Sequence, residues 1–379
     1  MTAPSNSGRR DVAIYAPYAS PLYERNVGAT GGGGAELQTT LLAHGLAERG
    51  LDVAHIVYPI DDPRPLEAPA PALVHREYSP PAHRLHAVRE LAGVWRALTA
   101  ANAEVVVVRG SGGYVVPAAA WCRRRGRSLV FAASNDLDFD LQRPDRRPVT
   151  LRAYGVAARQ AKRLVVQTSR QAELAPRVFP TLDPVLIPSF AQPAEPASTK
   201  AEYFLWIDRL VSYKHPERFL DLVESLPEAR FRMIAPESSE TAPDLKQRVH
   251  ARVAALPNVE MVGQQSREQI FAAMHDAAAV VKTSEVEGMP NTFLEAWSRG
   301  LPVLSLSVDP DHRIEEHGVG LLAGGSPERF AAEGRRLWED VSLRAEIGRR
   351  GLEFVRATHS PEAVLSRWVE LLNGVLSES

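Results

Sequence analysis

Cysteine is all but absent: one residue in 379. Cys122 alone excludes an intrachain disulfide and a Cys-rich metal site, and it fits a reducing compartment, where it reads as a small apolar filler. No apolar run approaches the length of a membrane span, and no secretory signal opens the sequence. The cytoplasm is therefore the expected location. Net charge is nearly absent too, at −2. Aromatic residues make up 7% of the chain, and they are not interleaved with its charged stretches, which argues against a nucleic-acid partner. Lysine is scarce beside arginine. No nucleophile–His–acid pattern stands out among the scattered histidines.

What is present is a strand–helix alternation. The chain is too long for one ordinary core, so two domains are expected. Short β-rich runs at Val12–Ala16, Val53–Val57, Val105–Val108, Leu129–Ala132 and Leu164–Gln167 imply a mostly parallel sheet. A Gly-rich loop and a helix from Ala35 to Arg49 follow the first strand. The proline-rich stretch 188–197 reads as a linker. The alternation restarts at Tyr203–Ile207 and continues through Phe231–Ala235, Val259–Val262, Ala279–Val281 and Val303–Ser305. We expect an α/β protein with domains at 1–190 and 200–360 and a closing helix in 361–379. Ligands of tandem α/β domains are expected where strand C-terminal ends face a cleft.

Charge is unevenly spread. Of 44 basic and 46 acidic residues, 23 and 17 lie in 1–190, leaving 21 and 29 for the remainder. The positive excess concentrates in 121–177, with Arg123, Arg124, Arg125, Arg127, Arg146, Arg147, Arg152, Arg159, Lys162 and Arg163. Such a stretch admits peripheral contact with the inner face of a membrane or a phosphorylated acceptor, and equally a solvated helix face.

The most informative segment is Thr283–Ala296. Glu287 lies in a loop, and Glu295 lies just inside a helix whose first turn accommodates Pro290. Gly300 and Pro302 end that helix. Two hydroxyl-binding carboxylates beside an anion-binding helix start suit a nucleotide-sugar; a capped helix with two acids near its positive end has the same pattern. The second half's first strand leads into Asp208–Pro216, which puts Arg209 and Lys214 at the C-terminal edge of the sheet. Two cations there can neutralise a leaving diphosphate as a metal would elsewhere.

Together these stretches resemble retaining glycosyltransferase family 4, of the GT-B fold with two Rossmann-like domains. The run Tyr213–Leu220, the stretch Asn258–Gly263 and the block Glu287–Trp297 carry the resemblance, with Leu301-Pro302-Val303 and Asp309-Pro310-Asp311. It implies a last helix that crosses back to the first domain. It further implies that Arg209 and Lys214 bind the donor diphosphate and that Glu287 holds hydroxyls of the transferred sugar. Gly288, Met289, Pro290 and Asn291 would shape that loop, Thr292 would offer its backbone N–H to phosphate, and Glu295 would hold the ribose. The base would lie near Pro236-Glu237 and Val262-Gly263, and Gly33 and Gly34 would approach the donor phosphate. The implied chemistry is a metal-independent, cofactor-free retaining transfer from a UDP- or GDP-linked sugar. The leaving phosphate would take the acceptor's proton. A cell-envelope or lipid-linked glycan as acceptor would fit the basic stretch, and a small natural product would fit a soluble chain equally well.

Two departures bear on the site. Many members of the family carry a His near the reaction centre, but the corresponding stretches 108–113 and 133–138 contain none. Arg109, Asn135 and Asp136 are the candidates for acceptor contacts. Asp208 also stands where the family usually has Gly. The Asp136–Asp140 run resembles a metal-binding Asp-x-Asp, but its place in the first α/β domain favours loop acids. His312 and His317 are five apart, unlike a helical zinc pair. A dinucleotide-dependent oxidoreductase is a second class admitted by the glycine loop, although 31–36 lacks the fingerprint spacing. A non-catalytic sugar-nucleotide-binding partner of another transferase is a third.

Overall fold

The computed structural model describes residues 8–25, 34–77, 86–143, 146–191, 194–198, 200–285 and 287–378. Gly33 lies outside them. Among the described residues the chain forms two compact units, one from 8–25, 34–189 and 362–378, the other from 190–361.

In the first unit, strands β1 (Arg10–Tyr15), β2 (Val53–Val57), β3 (Ala72–His75), β4 (Ala103–Arg109), β5 (Ser128–Ala132), β6 (Arg163–Val166) and β7 (Pro184–Leu186) form one parallel sheet. Their spatial order is 3-2-1-4-5-6-7. Helices such as Gly34–Glu48 and Val115–Arg125 cover its faces, and so β1 and β4 read as continuous apolar runs. Cys122 packs in this core, where burial pushes its thiol up to about 12. The last helix, Pro361–Ser377, belongs to this unit from Glu362 onward. Leu365 seats against Gly45, where an added Cβ would fall 2.3 Å from its Cδ1. Arg163 meets Glu378 at 2.7 Å.

The second unit has β8 (Tyr203–Ile207), β9 (Phe231–Ile234), β10 (Val259–Val262), β11 (Ala277–Lys282), β12 (Val303–Ser305) and β13 (Gly320–Leu322). All are parallel, in the order 10-9-8-11-12-13. β8 shows the two-residue period of a sheet buried on both sides. Phe204 and Trp206 join one hydrophobic cluster with Phe219 and Phe231, and Tyr203 and Leu205 join the other with Phe293 and Trp297. The strand order reverses at β8–β11 here and at β1–β4 in the first unit. Such reversals open a crevice at the strand C-terminal ends, where ligands of this architecture bind.

No described helix is long and apolar enough to cross a membrane.

Candidate functional site

The β8–β11 reversal sets the centre of the site. Val281 of β11 pairs with Trp206 of β8, so Lys282 lies beside Ile207 and one step from Asp208. After β8 the chain makes a tight turn over Ser212–Lys214. Trp206 Nε1 donates to Thr283 Oγ1 at 2.9 Å, and that hydroxyl donates to the Lys214 carbonyl at 2.8 Å. The turn carrying Lys214 is thereby tied to the end of β11.

Four charged side chains meet there. Lys214 Nζ lies 3.1 Å from Asp208 Oδ1 and also contacts Glu287 Oε1. Lys282 Nζ contacts Asp208 Oδ2 and sits 2.9 Å from Glu287 Oε1. Burial pushes the Glu287 carboxyl up, but Lys282 and Lys214 outweigh it and hold the group down at about 2. Burial disfavours the Lys282 ammonium, yet Asp208 and Glu287 raise its pKa above the ordinary lysine value. Two lysine side chains thus face two carboxyl side chains, so the ring's formal charges balance.

The helix after Glu287 spans Asn291–Trp297, with Pro290 as its N-cap residue, one position later than a Pro in the first turn would give. The Phe293 and Leu294 amides donate to the Pro290 carbonyl at 3.0 and 3.4 Å. Gly288, Met289 and Pro290 are buried, with Met289 in a hydrophobic cluster; Asn291 and Thr292 are half-buried. Glu295 is engaged by Arg267, whose Nη2 donates to Oε1 at 2.8 Å. Arg209 pairs with Glu240 at 3.0 Å and donates to the Tyr213 hydroxyl. The Ala235 amide donates to the Val262 carbonyl and the Leu210 amide to the Pro236 carbonyl, each at 2.9 Å. The ends of β8, β9 and β10 thus lie side by side where the base is expected. The structure brings Lys214 and Glu287 into direct contact; Arg209 and Glu295 lie outside their ring, each with its own partner.

In the first unit, Gly34 opens the helix Gly34–Glu48 and is exposed. Arg109 ends β4, half-buried, with Nη2 3.5 Å from Ser189 Oγ. Burial pulls its pKa down to about 10 against the opposing fields of Asp138, Glu36 and Tyr114. Asn135 caps the turn Asp136–Phe139, its Oδ1 accepting from the Leu137 amide. Asp136 lies 3.5 Å from Arg170. The organiser of this loop is Asp138, whose carboxylate accepts from the Ser111, Ser134 and Asn135 amides and the Ser134 hydroxyl. Asp138 is thus committed to backbone donors, and Asp140 Oδ1 accepts from the Gln142 amide at 2.8 Å.

Among the described residues, Asp309, His312 and Glu315 place one ligand atom each within 4.8 Å of one another. Asp309 already accepts from the Ile314 and Glu315 amides at 2.7 and 3.2 Å, so it first caps the helix Arg313–His317. His317 lies apart from the group and packs on Phe354.

Sequence reasoning missed Lys282 and Arg267, and it read Asp138 only as one of several loop acids. The available signal for Lys282 was Asp208: a carboxylate at the edge of a buried sheet requires a cation.

The description "Glycosyl transferases group 1" matches residues 190–354, and "Glycosyl transferase 4-like domain" matches 33–188. A lipopolysaccharide core biosynthesis glycosyltransferase, LpsE of Rhizobium meliloti (strain 1021), is 32% identical over 116 residues. That stretch is 30% of this chain and spans only 34% of the relative. Sucrose-phosphate synthase from Thermosynechococcus elongatus shares the fold with a TM-score of 0.79 at 16% identity, over 98% of this chain and 100% of its own. Anabaena HepE, solved in complex with UDP and glucose, does so with a TM-score of 0.75 at 16% identity, over 96% and 100%.

Proposed function

We propose, for a chain that belongs to the GT4-type glycosyltransferases of GT-B fold, that the second unit binds a nucleoside-diphosphate sugar, UDP-linked in the first instance. The chain transfers that sugar, with retention and without a metal, to a hydroxyl of a cell-envelope glycan. The observation that carries this reading is the Lys214–Glu287 pair at the C-terminal edge of the β8–β11 crevice. Support for UDP comes from the ligand of the HepE structure, and for a glycan acceptor from the name of the LpsE relative.

In this reading Lys214 and Arg209 exchange their carboxylate partners for oxygens of the donor diphosphate. A glycosyl transition state places positive charge on the sugar and negative charge on the departing phosphate. The two cations stabilise the second, and Glu287, ionised even in acid, accepts hydroxyls of the sugar. Glu295 takes the ribose hydroxyls. The departing phosphate, on the face the acceptor approaches, takes the acceptor's proton, so no carboxylate nucleophile is used.

The test is a thermal-shift screen with UDP, GDP, their glucose conjugates and NADH. Binding to the native state raises the melting temperature. A rise with UDP or UDP-glucose is expected. A rise with NADH alone would favour the oxidoreductase, and no rise with any nucleotide would overturn the proposal. Transfer or donor hydrolysis by the isolated chain separates an enzyme from a binding partner.

One observation favours an acceptor presented at an anionic surface. On the helix Pro148–Ala158, Val149 and Val156 are 71% and 60% exposed, two turns apart on one face, with Arg147, Arg152 and Arg159 alongside.

A further inference from the structure

Lys214 cannot serve a diphosphate while two carboxylates hold it. Asp208 and Glu287 both do, so these three groups alone carry a net charge of −1 and would repel a phosphate. Lys282 changes that balance. It contacts the same Glu287 oxygen and the other oxygen of Asp208. The two lysines differ in position: the Lys282 side chain is 4% exposed and the Lys214 side chain 12%. Lys282 issues from the buried strand β11, whereas Lys214 issues from the turn after β8. An ammonium suits the inner place. It is a compact point charge, able to sit between two carboxylates where a planar guanidinium needs a wider fork. The chain has 5 lysines beside 39 arginines, and 2 of those lysines stand in this ring.

We propose that Lys282 is a positioning residue for donor binding: it neutralises Asp208 and Glu287 from the interior, so that the Lys214 ammonium can turn to the donor diphosphate without stranding two buried carboxylates. The proposal rests on the reading of Lys214 as a diphosphate ligand. It also assigns Asp208 a role. The carboxylate that occupies the expected glycine position is the counter-charge that keeps Lys282 ionised and in place, and its removal abolishes the need for Lys282.

The test is UDP affinity by titration calorimetry on the full chain. Lys214→Ala removes the phosphate ligand itself. Lys282→Met keeps the length and deletes the charge, and Asp208→Asn deletes the opposing charge. Hydrogen bonds to charged groups are worth enough that Lys214→Ala and Lys282→Met should each weaken UDP by about tenfold or more. Adding Asp208→Asn to Lys282→Met should return affinity to within about threefold of the natural protein, because a neutral Asn and one remaining lysine again balance Glu287. A merely structural role predicts no such charge rescue. Equal UDP affinity in Lys282→Met and the natural protein would overturn the proposal, as would a folded double variant that is not rescued.

If Lys282→Met does not fold, Asp208→Asn alone decides: retained or tighter UDP binding supports the inference, and a loss matching that of Lys214→Ala refutes it. A natural protein that binds no UDP, or a Lys214→Ala variant with unchanged affinity, sinks the reading of Lys214 and the role of Lys282 with it. An effect of Lys214→Ala without one of Lys282→Met sinks only the latter.

Discussion

Glu287→Gln should destabilise the second unit in a pH-dependent way, and the dependence can be worked from the ring. Two ammoniums hold the Glu287 carboxyl at about 2, against an ordinary value of 4.5. A folded pKa below the unfolded one means that the unfolded chain binds the proton more readily. The stabilisation is then fully present above about 4.5 and is lost as pH falls toward 2. The shift corresponds to about 3 kcal/mol at pH 7 and to roughly 1 kcal/mol at pH 3. Removing one partner of a buried ion pair costs about 3–5 kcal/mol by direct measurement in other proteins, which agrees in scale. Gln keeps the size of the side chain and one acceptor oxygen but cannot titrate. Urea unfolding of both proteins, followed by tryptophan fluorescence from pH 7 to pH 3, gives the difference directly. Contributions from the first unit cancel, because the substitution lies in the second. The gap should be on the order of 3 kcal/mol at pH 7 and shrink by more than half at pH 3. A gap that stays constant across that range would refute the reasoning, since the loss would then come from packing and not from the charges.

Lys214→Ala should lower kcat by at least about a hundredfold with a UDP-sugar at saturation while the melting temperature shows a folded protein; unchanged turnover would remove Lys214 from the chemistry. EDTA should leave turnover unchanged; strict restoration by manganese would overturn the metal-independent reading and direct attention to Asp309, His312 and Glu315. Gly348→Ala should cost about 1–3 kcal/mol or more in urea unfolding, because its Cβ would fall 1.9 Å from the backbone carbonyl oxygen of Gly300; an unshifted midpoint would show that the segment after the Asn291–Trp297 helix can move aside freely. Flotation with phosphatidylglycerol vesicles should carry the chain upward, and Val149→Asp with Arg152→Glu should abolish it; flotation that persists in the double variant would acquit the Pro148–Ala158 face.

The central strands were legible because physics writes them redundantly. β2 and β8 are buried throughout or nearly so, and a parallel strand covered on both faces must be apolar along its length. The strands that escaped notice are β3, β7 and β13. β3 and β7 include exposed positions, Pro184 opens β7, and β13 is only three residues long. Edge strands pair on one side and need no continuous apolar run, so their sequence resembles loop.

The site divides along a different line. Lys214 could be placed at a sheet edge because it follows a strand with a readable end, and Glu287 in the loop before a helix with readable start and stop signals. Lys282 could not, since a lysine at the end of Ala277–Lys282 looks like a strand turning out to solvent. Only the pairing of β11 with β8, strands separated by two others in sequence, puts its ammonium between Asp208 and Glu287. The hint was nevertheless in the chain. Asp208 occupies a place where glycine was expected, and burial makes an unpaired carboxylate there too costly to keep. An unexpected acid at the edge of a buried sheet therefore implies a cation that local sequence does not supply, to be sought on the neighbouring strands. In an all-parallel sheet the strand beside β8 is fixed by topology as β9 or β11, and of the two only β11 ends in a cation.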